Sequence, residues 1–462
     1  MQDLRERLRG LRRPPVTPGL GSESGPASRC LPPAVPAGRA GARASELERL
    51  ETSLLGAPGD EGLSIKARLE RLVAAADRAR MRRDVPAAAA PIEELVPGRR
   101  VENDRGAFFL VEDSRHLDSR HGDVPLSRFR AVLPGSVAVV AGEPEMHSFD
   151  LTRAAFLDTE TTGLAGGTGT AAFVVGVGFV EEERFVVRQY LMRDYDEEAA
   201  QLCGLSTLLA SFPYLVTYNG KAFDLPLLEA RYRLNREAFP AARAQHLDLL
   251  PPARRLWKLR LESCRLQSLE AALLGVSRAG DVPGEEIPRI YFEYVRSRDA
   301  RGIVRVLEHN RLDVLSLAAL SALACQWVHG EGPEDPRDAY SLGRVFERAQ
   351  LYERSDAQYR RAVREDAGPL RTAALLRLAA RAKRGGDLTA ACELWDRAAR
   401  AGSWYALREL AVHHEHRTRD LAAALAAVDL GLLQAAHPGG GSTRAAREFE
   451  RRRTRLALKI GR

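Results

Sequence analysis

Residues 156–164 read FLDTETTGL, and the fold of the chain is decided around this stretch. Its start has the pattern of a short buried strand, which runs into a Thr-Thr-Gly turn. Because side chains two apart on a strand point to the same face, Asp158 and Glu160 are expected to lie side by side. Adjacent carboxylates repel each other unless a cation lies between them. Two interpretations stay open at this point: a divalent-metal site, or a strand end with two solvated acids.

The residues around this stretch, 151–328, alternate between strand and helix patterns. β-branched and aromatic runs predict strands over 171–180, 185–191, 214–218 and 246–249. Helical spacing of apolar residues predicts helices over 196–212 and 225–234, with further helices up to about residue 324. Three early strands followed by strand–helix units are typical of a mixed α/β sheet with flanking helices.

The segments before this region have a different composition. Residues 1–90 are rich in Pro, Ala, Gly and Arg, which predicts a mostly disordered basic tail, with one amphipathic helix over 64–82. Residues 91–150 contain short apolar runs separated by Gly and Pro, among them the run over 132–140. We therefore predict a small β-rich segment there.

Residues 333–462 change to helix pairs rich in Ala, Leu and Arg. A small–aromatic–small pattern recurs at intervals of 36 and then 33 residues, close to the ~34 of tetratricopeptide repeats. Its copies are Ser355-x3-Tyr359-x2-Ala362, Ala391-x3-Trp395-x2-Ala398 and the weaker Ala424-x3-Val428. This part resembles a short tetratricopeptide array, a type of module that binds protein partners.

Bulk properties set wide bounds. A chain of 462 residues with 45% hydrophobic residues is long enough for two or three domains, and a net charge of +7 permits polyanionic partners. The cysteines are dispersed, which favours a reducing compartment over a disulfide framework (Cys30, Cys203, Cys264, Cys325 and Cys392). The sequence shows neither a signal-peptide pattern nor an apolar run of ~20 residues. We therefore expect a cytoplasmic protein without membrane contact.

Three acidic positions outside the opening stretch have alternative explanations when each is taken alone. Asp224, in YNGKAFDLPLL (218–228), follows a predicted strand where a helix begins, a position that also favours an N-terminal cap. Asp313 lies four residues after His309 and on the same helix face, as in many surface pairs. Asp248 on a short strand is expected to have a structural role.

Taken together, the motifs have a specific order: Asp-x-Glu, then Asn-x3-Phe-Asp, then His-x3-Asp. In this the chain resembles the DEDD-type 3′→5′ exonucleases of the ribonuclease H-like superfamily over about residues 150–325. The wordings DTETTGL, YNGKAFDLPLL and HNRLDVLSL are most similar to the bacterial YprB-like branch. The resemblance implies a ribonuclease H-like sheet and hydrolysis of phosphodiester bonds from a 3′ end. The substrate class that it implies is single-stranded DNA or RNA.

The resemblance also implies roles for individual residues. Two Mg²⁺ or Mn²⁺ ions would be held by four carboxylates (Asp158, Glu160, Asp224 and Asp313), since hard oxygen ligands suit these ions. His309 would be the general base. Contacts to the terminal nucleotide would come from Thr161, Thr162 and Leu164, which follow the first motif. Tyr218, Asn219 and Lys221 are predicted to line the same cleft, and for Asn219 the role of a turn residue stays open as the alternative.

One departure and two rival interpretations complete the prediction. The tyrosine subfamily has Tyr-x3-Asp and the histidine subfamily His-x4-Asp, whereas this chain has histidine with the tyrosine spacing, which leaves the base assignment open. Gly167-x-Gly169-x-x-Ala172 matches a loose dinucleotide fingerprint, but a strand-forming run follows it, so no nucleotide cofactor is predicted. The alternative function is a catalytically silent nucleic-acid-binding or scaffold protein.

Overall fold

The computed structural model describes residues 89–163, 169–330, 332–364, 368–436 and 443–461, all within a compact unit that spans residues 87–462. The predicted tail up to residue 88, with its helix over 64–82 and Cys30, lies outside the described residues. So do Leu164 and Gly167.

Seven strands form one mixed sheet in the described part of the chain, and two short strands pair separately. In chain order the strands are β1 (Gly98–Asn103), β2 (Gly106–His116), β3 (Arg120–His121), β4 (Val124–Pro125), β5 (Ala154–Thr161), β6 (Ala172–Glu181), β7 (Arg184–Leu191), β8 (Tyr214–Thr217) and β9 (Gln245–Asp248). The order across the sheet is β1-β2-β7-β6-β5-β8-β9, and β3 pairs with β4. The predicted mixed α/β sheet is confirmed.

The strand directions determine where the polar residues meet. Pairing is antiparallel from β1 through β2, β7 and β6 to β5, whereas β5, β8 and β9 are parallel to one another. Phe156 of β5 is paired with Val216 of β8, and Thr217 of β8 with Asp248 of β9. Because parallel strands end at the same edge of a sheet, the residues after these three strands lie together, where open α/β sheets bind their ligands.

Helices cover both faces of this sheet and form the region after it. In chain order they are α1 (Ile92–Leu95), α2 (Ser136–Ala141), α3 (Glu198–Leu209), α4 (Asp224–Leu234), α5 (Leu250–Trp257), α6 (Leu266–Leu269), α7 (Ile287–Ser297), α8 (Arg301–His329), α9 (Pro336–Arg348), α10 (Tyr352–Arg364), α11 (Pro369–Arg384), α12 (Leu388–Arg400), α13 (Trp404–His413), α14 (Leu421–Ala436) and α15 (Thr443–Ile460).

The long helix α8 packs closely against the sheet. A Cβ atom on Gly178 of β6 would lie 2.5 Å from Cγ1 of Val314, which explains glycine at this strand position. By length and composition α8 is apolar enough to cross a membrane, but 72% of its most apolar window is buried inside the protein. Its apolar face is therefore already covered by the sheet and its neighbouring helices.

The strand predicted within residues 132–140 is wrong, because Ser136–Ala141 forms helix α2. Gly135 and Gly142 flank this helix with positive φ angles of 80° and 70°, which set its ends. Val137 and Val140 are buried at helical spacing. A short apolar run fits a strand and a buried helix equally well, so the pattern alone did not separate them. Strands β1 and β2 of the same segment join the main sheet.

The C-terminal region from α9 onward is helical and has its own hydrophobic core. Consecutive helices pack against each other, and the large residues of the recurring sequence pattern lie in that core, including Tyr359 and Trp395. Helix α9 also contacts α5 and α2, so this region adjoins the sheet domain.

Candidate active site

The first motif places its two acids at the end of β5. Asp158 is paired with Gly176 of β6, and Glu160, which is only 8% exposed, with Val174. The Nδ2 group of Asn310 on α8 donates a hydrogen bond of 2.8 Å to Oδ2 of Asp158. A Cβ atom on Gly176 would lie 2.2 Å from Oδ1 of Asn310, so glycine at this position makes room for the amide.

The second motif brings Asp224 to the same edge. Asp224 is the first residue of α4, and its Oδ1 accepts a hydrogen bond of 2.5 Å from Oγ1 of Thr159, which lies between the two acids of β5. The preceding loop is held by Asp248 at the end of β9, whose carboxylate accepts the backbone N–H groups of Asn219 (2.8 Å), Lys221 (3.2 Å) and Leu250 (3.0 Å). Asp248 thus has the geometry of a structural residue.

The third motif reaches the site from α8. The Nε2 atom of His309 lies 3.6 Å from Oδ2 of Asp313, one helical turn later, and 3.8 Å from Oε1 of Glu160. His309 is 7% exposed, so its ring is enclosed between carboxylates of two motifs that are about 150 residues apart in the chain.

The carboxylates of this site perturb one another. Burial, followed by repulsion from Asp313 and Asp224, raises the pKa of Asp158 well above its usual range. Burial and then repulsion from Asp158 likewise raise the pKa of Glu160, and burial raises the pKa of Asp224 to about 6. The site therefore concentrates acids whose ionised forms are disfavoured until positive charge is supplied.

One cation of the chain already enters this cluster. The guanidinium of Arg278 donates hydrogen bonds to Asp313 and to the buried Glu270, and its Nη1 lies 3.1 Å from Oδ2 of Asp281. These acids raise the pKa of Arg278 although burial acts in the opposite direction. Arg278 thus supplies part of the missing positive charge on the Asp313 side.

Asp281 also orients His309. Its Oδ1 lies 2.8 Å from Nδ1 of the imidazole. Burial alone would raise the pKa of Asp281, but the interactions with His309, the N–H of Val282 and Arg278 together outweigh it and the pKa is lowered. An ionised carboxylate only accepts hydrogen bonds, so Nδ1 of His309 carries a proton, and Nε2 faces Glu160 and Asp313.

The donor set fits divalent metal ions by its chemistry. Four carboxylates offer hard oxygen ligands, and the raised pKa values of Asp158, Glu160 and Asp224 reflect a deficit of positive charge that a divalent ion would remove. Among the described residues, no three His, Cys, Asp or Glu side chains are already grouped as a coordination shell. Arg278 bonds to Oδ1 of Asp313, so an ion bound by this carboxylate would lie beside the guanidinium.

Five of the six residues predicted to contact the terminal nucleotide are described, and they have varied partners (Thr161, Thr162, Tyr218, Asn219 and Lys221). Thr161 Oγ1 donates to the carbonyl of Gly163 (2.8 Å), and Thr162 Oγ1 accepts the N–H of Ala171 (3.0 Å). Tyr218 donates its hydroxyl proton to the carbonyl of Cys264, and the exposed Lys221 lies 3.6 Å from Glu143. Asn219 has a positive φ of 67°, a turn conformation that asparagine tolerates well.

Sequence reasoning missed Asn310, Arg278, Asp281 and Gln189. Gln189 Nε2 donates to Oδ1 of Asn310 (2.9 Å) and so fixes the amide that bonds Asp158. Asn310 lies next to His309 in the third motif, and a polar residue on the apolar face of a helix was a usable signal. Arg278 and Asp281 lie in a segment without periodicity, where the sequence offers no such signal.

Comparison with known proteins agrees with this fold and site. Residues 155–325 match the family model of the RNase H superfamily. Membership of this superfamily indicates a nuclease-type hydrolase that binds nucleic acid, and its nucleases generally use divalent metal ions.

A curated relative extends the match beyond this domain. Over 288 residues the chain is 33% identical to the "uncharacterized protein YprB" of Bacillus subtilis (strain 168). This alignment covers 61% of this chain and 69% of the relative. The chain therefore belongs to the YprB family within the RNase H superfamily.

Proposed function

We propose that this protein is a DEDD-type 3′→5′ exonuclease that acts on single-stranded ends of DNA or RNA. The observation that carries the proposal is the convergence of three motifs at one sheet edge. The motifs contribute Asp158 and Glu160 from β5, Asp224 from α4 and Asp313 from α8, and each of the first three has its pKa raised by burial or by the others.

The four carboxylates would hold two Mg²⁺ or Mn²⁺ ions, which when bound supply Lewis-acid chemistry to phosphodiester hydrolysis. The chain's own residues prepare the site for them. Asn310 holds one oxygen of Asp158 at 2.8 Å and Thr159 holds one oxygen of Asp224 at 2.5 Å, so both carboxylates are fixed in orientation.

His309 is proposed as the general base. Asp281 accepts a hydrogen bond from Nδ1–H and so fixes the ring, and Nε2 would take a proton from the attacking water. The His-x3-Asp spacing is compatible with this role because the imidazole is directed between Glu160 and Asp313, with its Nε2 within 4 Å of both carboxylates (3.8 Å and 3.6 Å).

The test uses purified full-length protein with single strands labelled at the 3′ or the 5′ end. In Mn²⁺ we expect release of 3′-terminal label as mononucleotide first, and a descending ladder from the 5′-labelled strand; EDTA abolishes both. Asp158→Ala serves as the inactive control. Immediate release of 5′-terminal mononucleotide would contradict the polarity, and intact strands with every metal would contradict the enzyme.

The base and its positioning residue have a separate test. His309→Ala is expected to reduce kcat by about 10²-fold or more, which is the usual contribution of general acid–base catalysis. Asp281→Asn is expected to lower kcat with little change in KM, and Asp281→Glu to restore part of it. An equal effect of Asn and Glu, or a change confined to KM, would exclude positioning of His309.

The second candidate is a catalytically silent nucleic-acid-binding or scaffold protein. The pairing of Asp313 with Arg278 favours it, because this carboxylate already has a cationic partner. Tight binding of labelled strands without cleavage in Mg²⁺ or Mn²⁺ would establish this function instead of the first.

The helical region is proposed to be a tetratricopeptide-like module that recruits protein partners, with domain limits near 151–328 and 333–462. Burial of Tyr359 and Trp395 at equivalent places supports repeat packing. The full-length protein used as bait, compared with Trp395→Ala and with an exposed control, Arg400→Ala, would show whether captured partners depend on this packing.

A further inference from the structure

Two adjoining cavities lead from the candidate active site toward the helical region. The first, of about 670 Å³, is bounded at one end by Tyr218 and Asn219, which begin the loop that carries Asp224. The second, of about 410 Å³, reaches Arg344 and Arg348 on α9. Both cavities share Arg254 and Lys258 as a common wall. We call this continuous depression the basic groove.

The groove is lined by cations without acidic partners. Five basic side chains are exposed along it, and none forms an ion pair with any carboxylate in the described ranges (Arg254, Lys258, Arg265, Arg344 and Arg348). Glu262 is the one acidic residue among the lining residues of the two cavities, and Lys258 donates to its backbone carbonyl. Many other arginines of the chain, such as Arg193 and Arg231, are paired with glutamates at 2.5–2.6 Å.

The wall of the groove brings like charges together. The guanidinium of Arg255 donates to the carbonyls of Val140 (3.0 Å) and Ala141 (2.7 Å) at the end of α2. Burial and then the neighbouring Arg348 lower the pKa of Arg255, and Glu143 offsets part of this effect. A Cβ atom on Gly142 would lie 3.4 Å from Nε of Arg348, so glycine leaves this arginine close to the backbone. Such crowding is unfavourable by itself and is relieved by a bound polyanion.

We propose that the basic groove binds the sugar-phosphate backbone of a single-stranded nucleic acid whose end lies at the carboxylates, so that α9 of the helical region takes part in substrate binding. This inference rests on the proposed function for the location of the strand end. A row of Arg and Lys side chains contacts phosphates irrespective of base sequence, as grooves for single strands do.

The variant that tests the groove is Arg344→Glu with Arg348→Glu, since both side chains are exposed on α9. The matched control reverses two exposed arginines outside both cavities, Arg243→Glu with Arg296→Glu. A third variant, Arg344→Lys with Arg348→Lys, keeps the charge. Thermal melting of all three checks that the fold is retained.

Binding is measured by fluorescence anisotropy in EDTA, with a labelled single strand of about 15 nucleotides and a labelled dinucleotide, a range that spans known single-strand site sizes. We expect the glutamate variant to bind the long strand about tenfold or more weakly than the parent. The slope of log Kd against log salt concentration should fall by about 1.4, because two phosphate contacts are lost. The loss grows with strand length, while the control and lysine variants stay close to the parent.

Unchanged affinity and slope in the glutamate variant, or an equal loss in the control, would overturn the groove. Cleavage assays on the same proteins separate the two proposals. If the parent protein cleaves and the groove variant binds normally, the proposed exonuclease activity is supported and the proposed role of the groove is contradicted. If the parent protein binds through the groove and does not cleave, the role of the groove is supported and the exonuclease activity is contradicted.

Discussion

Two regions of this protein bury acidic side chains, and they treat them in opposite ways. In the helical region Glu415, which is 4% exposed, is surrounded by Arg452 (2.8 Å), Arg455 (2.5 Å) and Lys459 (2.8 Å). Burial alone would raise its pKa, but the hydrogen bonds from these cations lower the pKa of Glu415 to about 2. At the sheet edge four carboxylates lie together, Arg278 pairs with Asp313 among them, and the pKa values of Asp158, Glu160 and Asp224 are raised.

The difference separates a completed structural site from a site that requires a further partner. Glu415 is satisfied within the chain and stabilises the fold. The carboxylate cluster lacks enough neutralising charge and therefore destabilises the fold. Such perturbed groups are typical of functional sites. Four predictions follow from this contrast, in order of decreasing effect.

The largest effect is expected for Asp224→Asn. Removal of one ligand carboxylate should reduce nuclease turnover by about a thousandfold or more, since metal-assisted charge stabilisation contributes several kcal/mol. In EDTA the same variant should raise the free energy of unfolding by about 1–3 kcal/mol, because it removes a charge whose pKa burial has raised to about 6. Urea unfolding and the cleavage assay measure both. A variant that is less stable in EDTA would contradict the contrast.

Arg278→Gln should act in the opposite direction on stability. It leaves Glu270, which is 1% exposed, and Asp313 without their cation, and should lower the free energy of unfolding in EDTA by about 2–4 kcal/mol. Added Mn²⁺ should recover part of this loss. The control is Arg296→Gln on the exposed face of α7. Equal unfolding free energies of the two variants would show that Arg278 does not neutralise these carboxylates.

Glu415→Gln should destabilise the helical region by about 1–2 kcal/mol, a moderate value because Arg455 and Lys459 remain half exposed. The loss should not respond to Mn²⁺. Glu450→Gln, an exposed glutamate on α15, is the matched control. If Mn²⁺ restored the stability of the Glu415 variant, the contrast between a site neutralised within the chain and a metal site would be contradicted.

The smallest effect is a difference in pH dependence. The pKa of Asp224 is raised from 3.8 to about 6, so the folded protein holds a proton that the unfolded chain has lost, and this contribution to stability falls as pH rises through that window. The pKa of Glu415 is lowered from 4.5 to about 2, so its contribution is lost as pH falls through that window. For each variant, Asp224→Asn and Glu415→Gln, the unfolding free energy is subtracted from that of the parent from pH 3 to 7 in EDTA. The two differences, plotted against pH, should therefore have slopes of opposite sign. Parallel slopes would refute the assignment.

Much of the fold could be predicted from the sequence, because its strands and helices have clear periodicity. The mixed sheet follows from the apolar runs, and Asp158, Glu160, Asp224 and Asp313 were recognisable by their order along the chain. Helix α2 was missed because six residues are too few to distinguish the two periods. Arg278 and Asp281 could not be predicted, since their contacts depend on how a non-periodic segment folds back onto α8.

Helix α8 has a consequence for the order in which the protein becomes complete during synthesis. Asp313 follows Asp158 by 155 residues (313 − 158), so a growing chain presents the first acids well before the last one emerges from the ribosome. The same helix fills the core beneath the sheet, with Leu317 and Leu320 almost fully buried. A nascent chain therefore cannot assemble the cluster until α8 has been synthesised and the core has closed.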